Sequence, residues 1–188
     1  MFEYTYKTAR GGTATLKLVG GKPHLVNRKE ELKMEKKLYI AYGSNMDTEQ
    51  MAYRCPDAKV VCTSEIRGYE LLFKGSKIGA CATIEKKENS KVPVLVWEIS
   101  QCDERSLDRY EGYPRLYYKK NLNIYINDKP MEAMVYIMDE KRLKGQPSYQ
   151  YYKLIEDAYK KYGFDFEILE KALKTSVAEG MNCNDQNQ

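Results

Sequence analysis

The chain has 188 residues, 43% of them hydrophobic and 31% charged, a balance that suits one ordinary folded domain with a small extension and excludes a disordered chain. No run of about 18 apolar residues occurs, which excludes a membrane-spanning helix; Met1-Phe2-Glu3-Tyr4 also lacks a basic-then-apolar signal, so cytoplasmic residence is the expectation. The net charge of +4 falls within residues 1–36, with eight Lys/Arg against four Asp/Glu, while residues 37–188 hold 23 of each, so the folded body is not expected to bind nucleic acid.

Residues 1–36 read as a small basic N-terminal extension, a β-hairpin plus linker. Phe2 to Lys7 alternates weakly, and Gly11-Gly12 and Gly20-Gly21 are turn signals around a strand-like Thr13 to Val19. Asn27 to Lys37 is polar, a linker or short helix. Residues 37–176 form the main domain. Leu38 to Tyr42 reads as a buried strand, and Gly43-Ser44-Asn45-Met46 as a small polar turn. Asp47 caps a short helix to Tyr53, with Gln50 at its third position, and Cys55-Pro56 ends it. Lys59–Thr63, Tyr69–Phe73, Gly79–Ile84 and Val92–Ile99 read as strands, with Glu85–Lys91 as a charged hairpin tip. The small residues of Gly79–Ile84 permit close approach of a backbone or ligand. Ser100 and Asp103 open a helix to about Tyr110, which Gly112 ends. Tyr117–Tyr125 and Met131–Met138 pair around Asn127-Asp128. Ser148 caps a helix to Tyr162, stopped by Gly163, and a last helix covers Asp165–Leu173. Residues 177–188 read as a disordered tail. With no repeated strand–helix–strand unit, the expected fold class is α+β, a mixed, mostly antiparallel β-barrel flanked by helices.

The stretch Leu38 to Met46 is the most informative. A strand running into a polar turn exposes backbone N–H groups, which suit an anion or a developing oxyanion; the plain alternative is a connecting turn. Tyr42 and Asn45 add directional polar groups there. The cysteines (Cys55, Cys62, Cys81, Cys102, Cys183) are odd in number and form no C-x-x-C pair, so neither a zinc site nor a disulfide scaffold is expected. His24 is the only histidine, which argues against Ser-His-Asp, Cys-His and histidine-rich metal chemistry. Acid–base work then falls to Asp, Glu, Lys, Tyr or Cys. Glu111 stands out because it lies among aromatics where a helix ends, followed by Gly112 and, after Tyr113, Pro114. Desolvation there would favour its neutral form and bring it towards service near neutral pH; the alternative is a surface glutamate paired with Arg109 or Arg115. The 17 tyrosines suit either stacking platforms or the margins of a core. Neither a dinucleotide fingerprint nor a Walker motif occurs.

Four ordered segments carry a family resemblance: Tyr42-Gly43-Ser44-Asn45-Met46, Arg54-Cys55-Pro56-Asp57-Ala58, Glu111-Gly112 with Tyr117 beyond it, and Pro147-Ser148-Tyr149-Gln150-Tyr151. Together they resemble the gamma-glutamylcyclotransferase-like family (the plant avirulence-induced-protein-like and butirosin-cyclotransferase-like superfamily) from Lys37 to Thr175, with Met46 where leucine is more usual. The resemblance implies a flanked β-barrel and a reaction without metal or cofactor. In that reaction the α-amine of a gamma-glutamyl group attacks its own γ-carbonyl, and 5-oxoproline and an amine or amino acid are released. It implies Glu111 as the base and acid, and Tyr39, Ile40, Ala41, Tyr42, Gly43, Ser44, Asn45, Tyr117 and Tyr151 as the substrate-binding set. For Tyr117 two readings stand, packing beside Glu111 or filling the core. The implied partner is a small gamma-glutamyl molecule, with no nucleic acid or membrane. The alternative is a catalytically silent member that binds such a metabolite. Neither the leaving amine nor the oligomeric state is legible in the sequence.

Overall fold

The central strand of the main sheet is β4 (Lys36–Ala41), and its apolar run becomes fully buried from Tyr39 onward. The computed structural model describes residues 3–7, 13–19, 21–26 and 36–182. Ahead of β4, β1 (Glu3–Lys7), β2 (Thr13–Val19) and β3 (Lys22–Val26) form a separate antiparallel sheet in the order β1-β2-β3, one strand more than the expected hairpin. The Gly11-Gly12 turn, most of the linker, the His24 side chain and residues 183–188 lie outside the described parts.

The main sheet contains β4, β5 (Lys59–Lys74), β6 (Cys81–Ser100), β7 (Tyr117–Ile126) and β8 (Lys129–Met138), in the order β5-β6-β4-β8-β7. The β4–β8 pair is parallel, and β4–β6, β5–β6 and β7–β8 are antiparallel. The mixed α+β class holds, but the expected barrel does not. Closure needs a continuous main-chain ladder between first and last strands at a consistent tilt and stagger. Here the sheet ends on β5 and β7, and the Ser64 hydroxyl donates to the Tyr125 carbonyl at 3.0 Å across that gap. Twist brings the two edges near each other, but their polar meeting is through a side chain. Period-two alternation in a sequence assigns faces to strands and is silent about which edges pair.

A second expectation also changes. Glu85–Lys91 is the middle of β6 rather than a hairpin tip, and the turn joining β5 to β6 falls at residues 75–80. The charges sit on a long two-stranded ribbon, where Lys87 pairs with Glu70 at 2.6 Å and Lys91 with Glu65 at 2.9 Å. Register shifts between Val60 and Cys62 and between Arg67 and Tyr69 bend β5, as bulges do. Asn127 and Asp128 both take positive φ at the β7–β8 turn, 50° and 61°, the backbone a tight two-residue hairpin requires.

Among the described residues, four α-helices flank the sheet: α1 (Thr48–Arg54), α2 (Gln101–Tyr110), α3 (Tyr149–Tyr162) and α4 (Phe166–Asn182). No helix among the described residues is long and apolar enough to cross a membrane. Ser100 and Asp103 close a reciprocal capping box on α2, with the Asp103 amide 3.1 Å from the Ser100 hydroxyl and the Ser100 amide 2.9 Å from the Asp103 carboxylate. That box fixes where α2 starts, and so where Glu111 arrives at its other end. α4 continues to Asn182, into the stretch read as tail. Its buried Ser176 hydroxyl accepts from the Phe73 amide of β5 at 2.8 Å. Ser176→Ala leaves that amide without a partner, at an expected cost of about 1–3 kcal/mol in urea unfolding; an unchanged midpoint would show that the bond does not anchor α4.

Candidate active site

The end of β4 delivers the chain to Gly43 and a single turn of 3-10 helix, Ser44–Met46. Close approach favours glycine at 43. A Cβ there would stand 3.2 Å from both the Ala82 Cβ on β6 and the Tyr151 hydroxyl on α3. The turn's first main-chain bond runs from the Met46 amide to the Gly43 carbonyl at 3.0 Å, so the Ser44 and Asn45 amides precede any acceptor within the turn.

Asn45 is held on all sides. Its main-chain carbonyl accepts from the Trp97 indole at 3.1 Å. Its side-chain carbonyl accepts from Arg54 Nη1 at 2.6 Å. Its Nδ2 donates to the Tyr39 hydroxyl and to Glu111 Oε1, each at 2.8 Å. Guanidinium can only donate, so Arg54 dictates that the amide oxygen faces it and that the NH₂ faces Glu111. Glu111 itself closes α2, its amide bonded to the Leu107 carbonyl at 2.8 Å, and Gly112 at φ 64° turns the chain away.

These residues surround a cavity of about 200 Å³. Tyr39, Tyr42, Gly43, Ser44, Asn45, Glu111, Tyr117 and Tyr151 all line it. Ile40 and Ala41, grouped with them from sequence, are buried in β4 and form no part of its wall. Cys81, Ala82, Tyr110, Leu116 and Tyr136 complete the lining without having been singled out. The small-residue stretch Gly79–Ile84 carried a signal for Ala82; Tyr136 sits in an apolar strand and carried none.

The four tyrosines expected at the site differ in how they use their protons. Tyr42 donates to the Tyr136 carbonyl at 2.6 Å and Tyr117 to the Ala82 carbonyl at 2.9 Å. The Tyr39 hydroxyl instead accepts from Asn45 at 2.8 Å, and the Tyr151 hydroxyl accepts from the Ala82 amide at 3.1 Å. The last two therefore retain a proton for whatever enters. Burial, foremost, pushes all four phenols upward, so each remains a neutral donor at physiological pH.

Glu111 has neither Arg109 nor Arg115 as a partner in its bonding. Burial raises its pKa from 4.5 to about 7, against the opposing pull of the Asn45 hydrogen bond and the Arg54 charge. Desolvation penalises the ionised form, and here it outweighs both stabilising contacts.

The family model described as "Gamma-glutamyl cyclotransferase, AIG2-like" matches residues 39–154. The chain belongs to this family. It is 30% identical over 143 residues to gamma-glutamylcyclotransferase from Homo sapiens, covering 71% of this chain and 76% of that protein. A solved structure titled "Gamma-glutamyl cyclotransferase" superposes with a TM-score of 0.66 at 29% identity, covering 73% of this chain and 86% of that one. YkqA from Bacillus subtilis shares the fold at 17% identity, with a TM-score of 0.63 over 93% of this chain and 70% of its own. The AIG2-like match spans both the turn after β4 and Glu111, the two halves of the cavity.

The raised carboxyl has a consequence for folding. The unfolded chain ionises Glu111 near 4.5, while the folded chain holds its proton to about 7. Protons bound by the native state then exceed those bound by the unfolded state in that window, so this group's contribution to stability falls as pH rises from about 4.5 to about 7 and levels off above it. Urea unfolding at pH 5 and pH 8 is expected to show this decline in the wild type and its loss in Glu111→Gln. An identical pH dependence in both proteins would contradict the assignment.

Proposed function

We propose that this chain is a gamma-glutamyl cyclotransferase. The α-amine of a gamma-glutamyl group attacks its own γ-carbonyl carbon, a five-membered lactam forms, and the bond from that carbon to the leaving nitrogen breaks. The products are 5-oxoproline and a free amine or amino acid. The observation that carries this reading is Glu111, a carboxylate that lines a tyrosine-walled cavity and has its pKa raised to about 7.

A carboxyl of that affinity is present in both forms at neutral pH, so one group can serve as base and then as acid. Glu111 accepts a proton from the attacking nitrogen and returns it to the departing nitrogen. Atoms and charge balance without a cofactor. The Asn45 hydrogen bond at 2.8 Å holds the carboxylate still through both transfers. The Ser44 and Asn45 amides and the Tyr39 and Tyr151 hydroxyls serve as donors to the substrate's anionic oxygens, including the oxyanion that develops on the γ-carbonyl. Tyr42 and Tyr117, whose protons go to main-chain carbonyls, shape the walls.

Cavity size supports a division of the substrate. At about 200 Å³ the space is below the usual range of about 300–1,000 Å³ for drug-sized ligands. It suits one glutamyl group, with the leaving amine directed towards Tyr110, the exposed member of the lining. Confinement folds the glutamyl chain towards ring closure, which removes much of the entropic barrier.

Incubation with a panel of gamma-glutamyl amino acids and gamma-glutamyl amines is expected to release 5-oxoproline from at least one, measured by chromatography. Glu111→Gln is expected to lower kcat by roughly 10²–10⁴-fold while the circular dichroism spectrum is retained. Tight binding of the panel without any product would favour a silent binder, and full activity in Glu111→Gln would remove the carboxylate from the mechanism.

A further inference from the structure

We infer that Arg54 is a positioning residue of this site: through Asn45 it aims the amide at the Glu111 carboxylate, with its cationic charge behind that amide. This extends the cyclotransferase reading to a residue that does not line the cavity and so does not touch substrate.

Arg54 ends α1, a position where a basic side chain often does no more than complement the helix dipole. Its donors are used differently here. Nη1 binds the Asn45 side-chain oxygen at 2.6 Å, and Nη2 binds the Gln50 side chain. The guanidinium carbon lies over the Tyr110 ring, 3.6 Å from its centre. The Tyr110 hydroxyl in turn shares a hydrogen bond with the Ser44 hydroxyl at 3.2 Å. One planar cation thus ties the turn after β4 to the end of α2 by two routes, one through Asn45 and one through Tyr110. Lysine cannot reproduce this, since it has neither the fork nor the stacking face.

Arg54 is the charged group that acts on Glu111. Glu111 in turn acts on the phenols of Tyr39, Tyr42, Tyr117 and Tyr151 and on the Cys81 thiol, and Tyr110 and Tyr136 complete the titratable lining of the cavity. Burial raises those four phenols and the thiol, so these five stay neutral while Glu111 titrates. Arg54 opposes the desolvation that raises the carboxyl; its removal therefore moves Glu111 further upward.

The test uses Arg54→Met and Arg54→Lys in the full chain, with two readouts. The Glu111 carboxyl carbon followed by NMR across pH is expected to shift its midpoint upward by about one unit in Arg54→Met and by less in Arg54→Lys, which keeps the charge. The pH profile of kcat is expected to move its acidic limb the same way, with kcat at its plateau lowered roughly 10- to 100-fold in both variants because the amide is no longer aimed. An unmoved NMR midpoint in Arg54→Met overturns the proposal, as does a loss of thermal stability alone with both profiles unchanged. Arg54→Gln serves if the methionine variant does not fold. The NMR titration needs no turnover, so a wild type that releases no 5-oxoproline counts against the cyclotransferase reading while Arg54 is judged on the midpoint.

Discussion

The hydrogen bond from Asn45 Nδ2 to Glu111 Oε1, 2.8 Å long, joins two segments that lie 66 residues apart. Everything around it serves to bring its two ends together. The central strand β4 supplies the turn, Gly43 lets that turn seat against Ala82 and Tyr151, and Trp97 pins the Asn45 main chain. On the other side, the Ser100–Asp103 box sets the start of α2, so that its tenth residue is followed directly by Glu111. A glycine with positive φ then takes the chain out of the cavity. Interior packing has little slack, so an error in either element would open this bond.

The electrostatics follow from the same geometry. A carboxylate is placed in a tyrosine-walled space, where loss of water raises its pKa, and it is given one amide donor and one nearby guanidinium, which limit the rise. Burial is the larger effect, and the outcome is a group poised near neutrality. That resolves a difficulty visible in the composition. The chain's single histidine is not among the residues lining the cavity, so no side chain there ordinarily titrates near pH 7, and burial brings a glutamate into that range.

Much of this was legible in the sequence, for identifiable reasons. The turn after β4 announced itself because an apolar strand ran into Gly43-Ser44-Asn45. Glu111 stood out by its position among aromatics at a helix end. The α2 box, the Ser148 cap and the Asn127-Asp128 turn are local chemistry, and local chemistry is what neighbouring residues encode. What failed was long-range or depended on context. Open sheet edges at β5 and β7 look like barrel strands when only alternation is available. The charges of Glu85–Lys91 imitate a hairpin tip although they decorate an extended ribbon. The division of the tyrosines into those with bound and those with available protons requires distances, and so does Arg54's reach to Asn45 and Tyr110.

The account is tested most directly by a crystal structure of the protein with 5-oxoproline bound. It predicts the product in the cavity beside Gly43, its ring nitrogen within hydrogen-bonding reach of Glu111 and its oxygens on the donors of Ser44, Asn45, Tyr39 or Tyr151. Product bound elsewhere, or held in the cavity with its ring nitrogen directed away from Glu111, would contradict it.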